Sequence, residues 1–159
     1  MCIIESYRIT LSSLADTERL AQRIAHAAQP PLVIALEGTL GAGKTAWTRA
    51  FAMACGSRPE DVTSPTFTLV HVYPTKPIIY HIDAYRIHDD DEFLELGTEE
   101  MMYADAITII EWADRVQKCL PADHLQLTLE VVDDRTRIAT VTGSGPKSQQ
   151  LVSMLQTKS

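Results

Sequence analysis

The chain has 159 residues, 45% hydrophobic and 22% charged, with a formal net charge of −7 from 21 acidic and 14 basic side chains. That length suits one folded domain, and no apolar run approaches the roughly 20 residues that a membrane helix needs. The acidic balance argues against unaided binding of tRNA or DNA, because phosphate contacts dominate such affinity and demand a basic surface.

The N-terminus lacks a basic region leading into a long apolar one, so no secretory leader is expected and the cytoplasm is the default location. Cys2, Cys55 and Cys119 are too dispersed for a C-x-x-C motif and odd in number, which reads as ordinary reduced thiols.

Ser6 to Leu11 alternates as a first strand. Leu20, Ala21, Ile24, Ala25 and Ala28 recur at helical spacing and predict a helix over 16–28, capped by Asp16 or Thr17. Pro30-Pro31 ends that helix and launches the apolar run Leu32 to Leu36, a second strand. Next comes Gly38-Thr39-Leu40-Gly41-Ala42-Gly43-Lys44-Thr45, which fits the phosphate-loop pattern G-x-x-x-x-G-K-[ST] at every fixed position. Residues 45–55, rich in Ala with Trp47, Phe51 and Met53, read as a helix closed by Gly56. Strand, loop and helix is the context that this motif requires.

The chemistry explains the residue types. Glycines let the backbone wrap phosphate oxygens and turn N–H groups inward, and the positive end of the following helix favours negative charge. Lys44 adds a point charge for the β and γ phosphates, and Thr45 offers a hydroxyl to Mg²⁺.

A polar loop from Ser57 to Thr66 ends in the hydroxyl-rich piece Val62 to Thr68. Phe67 to Tyr73 and Ile78 to Ile82 read as a hairpin joined through Pro74-Thr75-Lys76-Pro77. Between Asp83 and Asp105 stand nine acids and one base, Arg86. A short helix begins near Asp89, breaks at Gly97 and resumes over 99–103; the acidic face is either solvated surface or a docking face for a basic partner. Ala106 to Ile110 is an apolar strand ending at Glu111, and Trp112 to Lys118 a short helix. His124 to Val132 and Thr136 to Thr142 form a second hairpin. Gly143 to Pro146 breaks the chain before a terminal helix through Leu151, Met154 and Leu155. Alternating helices and strands followed by hairpins predict an α/β fold with a central mixed parallel and antiparallel sheet.

Two apolar runs end in an acid, Asp83 and Glu111. If both runs are strands beside the phosphate-loop strand, the carboxylates emerge at the sheet's ligand-binding edge. One then serves Mg²⁺ and the other orients water, although acids after strands also cap helices. Thr66 is either a γ-phosphate sensor in a switch-like loop or part of an ordinary turn. Trp112 either packs on nucleotide or fills core. His71 and His81 read as strand packing, since no zinc-type spacing accompanies them. Arg86 and Arg137 are candidate phosphate partners.

GTLGAGKT (38–45), SPTFT (64–68), HIDAYR (81–86), ELG (95–97) and IEW (110–112), in this order, resemble the bacterial TsaE family, formerly YjeE, over roughly residues 5–142. The resemblance implies a P-loop NTPase-like three-layer fold and an Mg²⁺-dependent ATPase needed for the N6-threonylcarbamoyladenosine modification at position 37 of tRNA. It implies TsaB and TsaD as partners, tRNA contact only through that complex, and no threonylcarbamoyl transfer by this chain. Residues 38–46 would then cradle ATP, Lys44 binding phosphate, with Ala46 where the family usually has Thr and Thr39 where it usually has Asp. Thr45, Asp83 and Glu111 would serve Mg²⁺ or the attacking water, Thr66 would lie in the switch-like loop, and Trp112 beside the site. The rival readings are a small-molecule kinase, against which the nine scattered arginines argue, and a GTP switch, which lacks an N-K-x-D element.

Overall fold

The computed structural model describes residues 6–62 and 69–157. In chain order these form β1 (Ser6–Leu11), α1 (Leu14–Ala27), β2 (Leu32–Gly38), α2 (Lys44–Ala54), β3 (Val70–Tyr73), β4 (Ile79–Asp83), α3 (Asp90–Glu95), α4 (Thr98–Tyr103), β5 (Ile107–Glu111), β6 (Leu125–Val131), β7 (Arg137–Gly143) and α5 (Pro146–Thr157). Short 3₁₀ segments span Pro59–Asp61 and Ala113–Cys119.

Among the described residues one sheet runs β1-β7-β6-β2-β5-β4-β3. The inner strands β6, β2, β5 and β4 are mutually parallel, while β7, β1 and β3 attach antiparallel at the two sides. This is the mixed sheet that the two hairpins predict. Buried parallel strands need apolar residues on both faces, and β2 supplies them. Leu32, Ile34 and Leu36 meet Leu20, Ile24, Trp47, Phe51, Leu151 and Val152 from α1, α2 and α5. Val33 and Ala35 face the other way, toward Phe93, Met102 and Val116. The result is three layers, with α1, α2 and α5 on one side and α3, α4 and the 113–119 segment on the other.

Two local expectations are corrected. Helix α1 begins two residues early because Ser13, not Asp16 or Thr17, is its N-cap: Ser13 Oγ accepts from the Asp16 N–H at 3.2 Å. Asp16 instead reaches back past the cap to accept from the Ser12 N–H at 2.8 Å. The helix expected from Trp112 starts one residue later as a 3₁₀ segment kinked at Val116, since Trp112 is left-handed with φ 59°.

Candidate functional site

The loop after β2 is shaped by its glycines for two separate reasons. Gly43 has φ 104°, which side-chain-bearing residues rarely adopt, and it turns the chain into α2. Gly38 stands where a Cβ would lie 2.7 Å from the carbonyl oxygen of Leu129, so the close approach of β6 also requires glycine there. No side chain caps the N-terminus of α2, and its first turn carries no acid. The leading N–H groups are thereby left for an anionic ligand.

Lys44 is buried, and its side chain curls into the loop. Its Nζ donates to the carbonyl oxygens of Gly38 at 2.5 Å and Thr39 at 3.0 Å and lies 4.1 Å from the centre of the Trp112 ring. Burial pushes the ammonium's pKa below its ordinary value, opposed by attraction from Glu111, Asp83 and Asp114. Trp112 is held in place by a backbone bond from its N–H to the Leu36 carbonyl at 3.0 Å and by the Tyr85 ring at 4.9 Å.

Strand register brings the two acids together. Asp83 and Glu111 are direct partners at the C-terminal ends of β4 and β5, and Leu36 of β2 is the next partner of Glu111. Alternation along β4 and β5 puts both carboxyls on the sheet face covered by α2. Thr45 Oγ1 donates to Glu111 Oε1 at 3.3 Å. Asp83 Oδ1 accepts the Tyr85 N–H at 2.9 Å, which re-aims the chain as it leaves β4. Burial raises the Asp83 pKa, and the neighbouring Glu111 carboxylate raises it further.

Leu40, Gly41, Gly43, Lys44, Thr45, Ala46, Asp83, Tyr85, Arg86, Glu111 and Trp112 line one open cleft of about 450 Å³. The sequence motifs at 38–46, 83, 111 and 112 therefore converge in space, with three qualifications: Gly38 turns toward β6, Ala42 packs into the core, and Thr39 does not line the cleft but accepts from Lys44 through its carbonyl. Thr66 lies outside the described residues. Arg86 is at the rim, while Arg137 donates to the Gly41 carbonyl at 3.1 Å and so braces the loop. A second cleft of about 460 Å³ adjoins the first through Gly43 and Ala46 and is walled by Ser13, Leu14, Thr17 and Arg135.

Sequence reading missed two groups here. Tyr85 closes one wall, and its signal was the aromatic within HIDAYR. Ser13 and Leu14 wall the second cleft; the S-x-x-D spacing of Ser13 and Asp16 was their signal. His81, read as strand packing, is fully buried with Nε2 3.5 Å from Glu111 Oε2.

The sequence matches the family described as "Threonylcarbamoyl adenosine biosynthesis protein TsaE" over residues 11–139. The chain belongs to the TsaE family. Relatives named tRNA threonylcarbamoyladenosine biosynthesis protein TsaE include those of Treponema pallidum (35% identical, covering 84% of this chain and 98% of that one) and Aquifex aeolicus (39%, covering 81% and 90%). That of Bacillus subtilis is 36% identical over 86% of this chain and 85% of its own. Among solved structures, one titled as the crystal structure of Bacillus subtilis YdiB superposes with a TM-score of 0.83 at 28% identity, covering 99% of this chain and 98% of that one. The TsaE chain is thus a three-layer α/β protein with a mixed sheet, and among its described residues no helix is long and apolar enough to cross a membrane.

Proposed function

We propose that this TsaE protein is an Mg²⁺-dependent ATPase that serves tRNA threonylcarbamoyladenosine formation as a subunit acting with TsaB and TsaD. The observation that carries the reading is the meeting of Lys44 and Thr45, at the uncapped start of α2, with the paired carboxyls of Asp83 and Glu111 in one cleft.

The donor set fits the ligands. A hydroxyl and two carboxyls are all-oxygen groups suited to a hard cation, and Mg²⁺ commonly takes one or two carboxylates and completes its shell with phosphate oxygens and water. When bound, such a cation would neutralise phosphate charge. Lys44 exchanges its loop carbonyls for phosphate oxygens, and the free N–H groups of 43–46 hold the same phosphates. Thr45, whose hydroxyl now donates to Glu111, and Asp83 are the residues that would hold the cation. Glu111 is then placed to orient the attacking water. The adjoining cleft, between Leu14 and the loop, has room in which the base and ribose would lie. Net charge of −7 supports tRNA contact through partners rather than directly.

The test is the rate of ATP hydrolysis with Mg²⁺, alone and after adding the matching TsaB, TsaD and tRNA. A low rate that rises with the partners supports the proposal. A rate indifferent to them removes the partner assignment and turns the search to a phosphoryl acceptor, as for a small-molecule kinase. No ATP binding at all removes the nucleotide reading.

A further inference from the structure

His81 sits under the site rather than in it. Its ring is buried between two groups from different strands: Tyr73 Oη lies 3.2 Å from Nδ1, and Glu111 Oε2 lies 3.5 Å from Nε2. Burial, with the Glu111 charge adding to it, pushes the Tyr73 pKa up to about 12, so the phenol keeps its proton at neutral pH. Taking Tyr73 Oη as the donor to Nδ1 places the ring's N–H at Nε2, facing the carboxylate.

The distances leave this arrangement unfinished. At 3.5 Å the His81 contact is beyond hydrogen-bond length, and Nε2 is one of two buried side-chain polar atoms without a hydrogen-bond partner among the described residues, the other being Trp47 Nε1. A buried donor left unpaired is costly. The Glu111 carboxylate is meanwhile tied through its other oxygen to Thr45. Were Thr45 to turn to a cation that tie would be lost, and Nε2 stands 3.5 Å from the other carboxylate oxygen.

We propose that His81, fixed by Tyr73, is a positioning residue that captures the Glu111 carboxylate when Thr45 releases it and holds that carboxylate in its working orientation. The proposal rests on the reading of the nucleotide site given above. It predicts that Thr45 and His81 alternate as partners of Glu111, and that the cleft gains its catalytic geometry only when loaded. Ligand-holding groups of this kind typically change affinity or activity by about 10- to 100-fold when removed.

The experiment compares His81→Asn and His81→Gln for kcat, nucleotide Kd by calorimetry and thermal stability. Glutamine carries an amide N–H to the Nε2 position, whereas asparagine falls short. His81→Asn is expected to lower kcat by roughly 10- to 100-fold with little change in Kd, and His81→Gln to recover most of that loss. In a Glu111→Gln background His81→Asn should add nothing further, because it acts through that carboxylate. Equal rates in wild type and His81→Asn, equal loss in both variants in step with stability, or full additivity with Glu111→Gln each overturn the proposal. A separate readout needs no nucleotide: imidazole ¹⁵N shifts of the free protein should place a proton on His81 Nε2, and a bare Nε2 overturns the inference. Failure of wild-type protein to bind or hydrolyse ATP instead strikes the function proposed above.

Discussion

Replacing Asp83 with Asn should stabilise the metal-free protein while disabling the site. Asn keeps an oxygen for the Tyr85 N–H, now accepted by Asp83 at 2.9 Å, and removes only the charge. Asp83 and Glu111 are register partners on neighbouring parallel strands, which lie about 4.8 Å apart. Two unit charges about 6 Å apart at an effective dielectric of about 20 repel by roughly 3 kcal/mol. Asp83 is only half-buried, so solvent screens that figure, and attraction to Lys44 offsets more of it, leaving about 1 kcal/mol. For a chain of this size that corresponds to a Tm increase of about 2–4 °C.

The pH dependence has a definite sign. Burial first, and Glu111 second, raise the Asp83 pKa above its ordinary 3.8, so the ionised form opposes folding. The penalty is full above the folded-state pKa and fades as pH falls through it toward the unfolded value. Thermal melts followed by circular dichroism in EDTA should therefore separate Asp83→Asn from wild type at pH 7 and bring them together near pH 4. Millimolar Mg²⁺ with nucleotide should stabilise wild type and leave the variant largely unmoved. A variant less stable than wild type at pH 7 in EDTA would refute the electrostatic reasoning.

Other perturbations test other parts of the molecule. Lys44→Met should change stability by no more than about 1 kcal/mol, because burial already disfavours the ammonium, yet weaken ATP binding by at least about 100-fold through loss of charge-assisted bonds; calorimetry with an unchanged Kd would remove Lys44 from the site. Gly38→Ala should cost about 1–3 kcal/mol in urea unfolding, because the new methyl meets the Leu129 carbonyl at 2.7 Å; an unshifted midpoint would show that β6 yields. Asp123 accepts from the N–H groups of Lys147 and Ser148 at 2.8 and 3.1 Å at the start of α5. Burial works against this carboxylate, but the hydrogen bonds from Ser148 and Lys147 outweigh it and hold its pKa below 3.8. Its contribution is therefore present above about pH 4 and lost as pH falls through the depressed value. Asp123→Ala should cost about 1–2 kcal/mol at pH 7 and flatten the acid limb of the stability profile; parallel limbs in variant and wild type would rule out this cap as the source.

What could be read from sequence was local. Eight consecutive residues define the phosphate loop, and the runs ending in Asp83 and Glu111 carry their own strand pattern, so these parts were legible without tertiary information. Ser13 was overlooked because Asp16 and Thr17 are equally good capping types, and only the backbone bonds assign the roles. Trp112 was expected in a helix because its neighbours are helix-compatible. Its positive φ arises from a tertiary demand, the bond from its N–H to Leu36 and the stacking of its ring toward Lys44. His81 was illegible for a sharper reason. Its contacts with Tyr73 and Glu111 depend on the β3–β4–β5 pairing, which brings together residues far apart in the chain.

Strand parity ties the site to the fold. Ile79, His81 and Asp83 alternate on one face of β4, and Ile107, Ile109 and Glu111 on the same face of β5, while Ile82 and Ile110 pack on the opposite layer. The apolar members of these series meet α1 and α2 in the core, and the last member of each, one step beyond the apolar residues, is the acid at the mouth of the cleft. Burial of Ile79, Ile107 and Ile109 thus fixes the phase that delivers both carboxyls to Thr45. A deletion of one residue within β5 would exchange Ile110 for Glu111 on that face and place a charge among Phe93, Met102 and Val116. Core packing and site assembly therefore constrain the same register, so a shift in that register cannot spare one and lose the other.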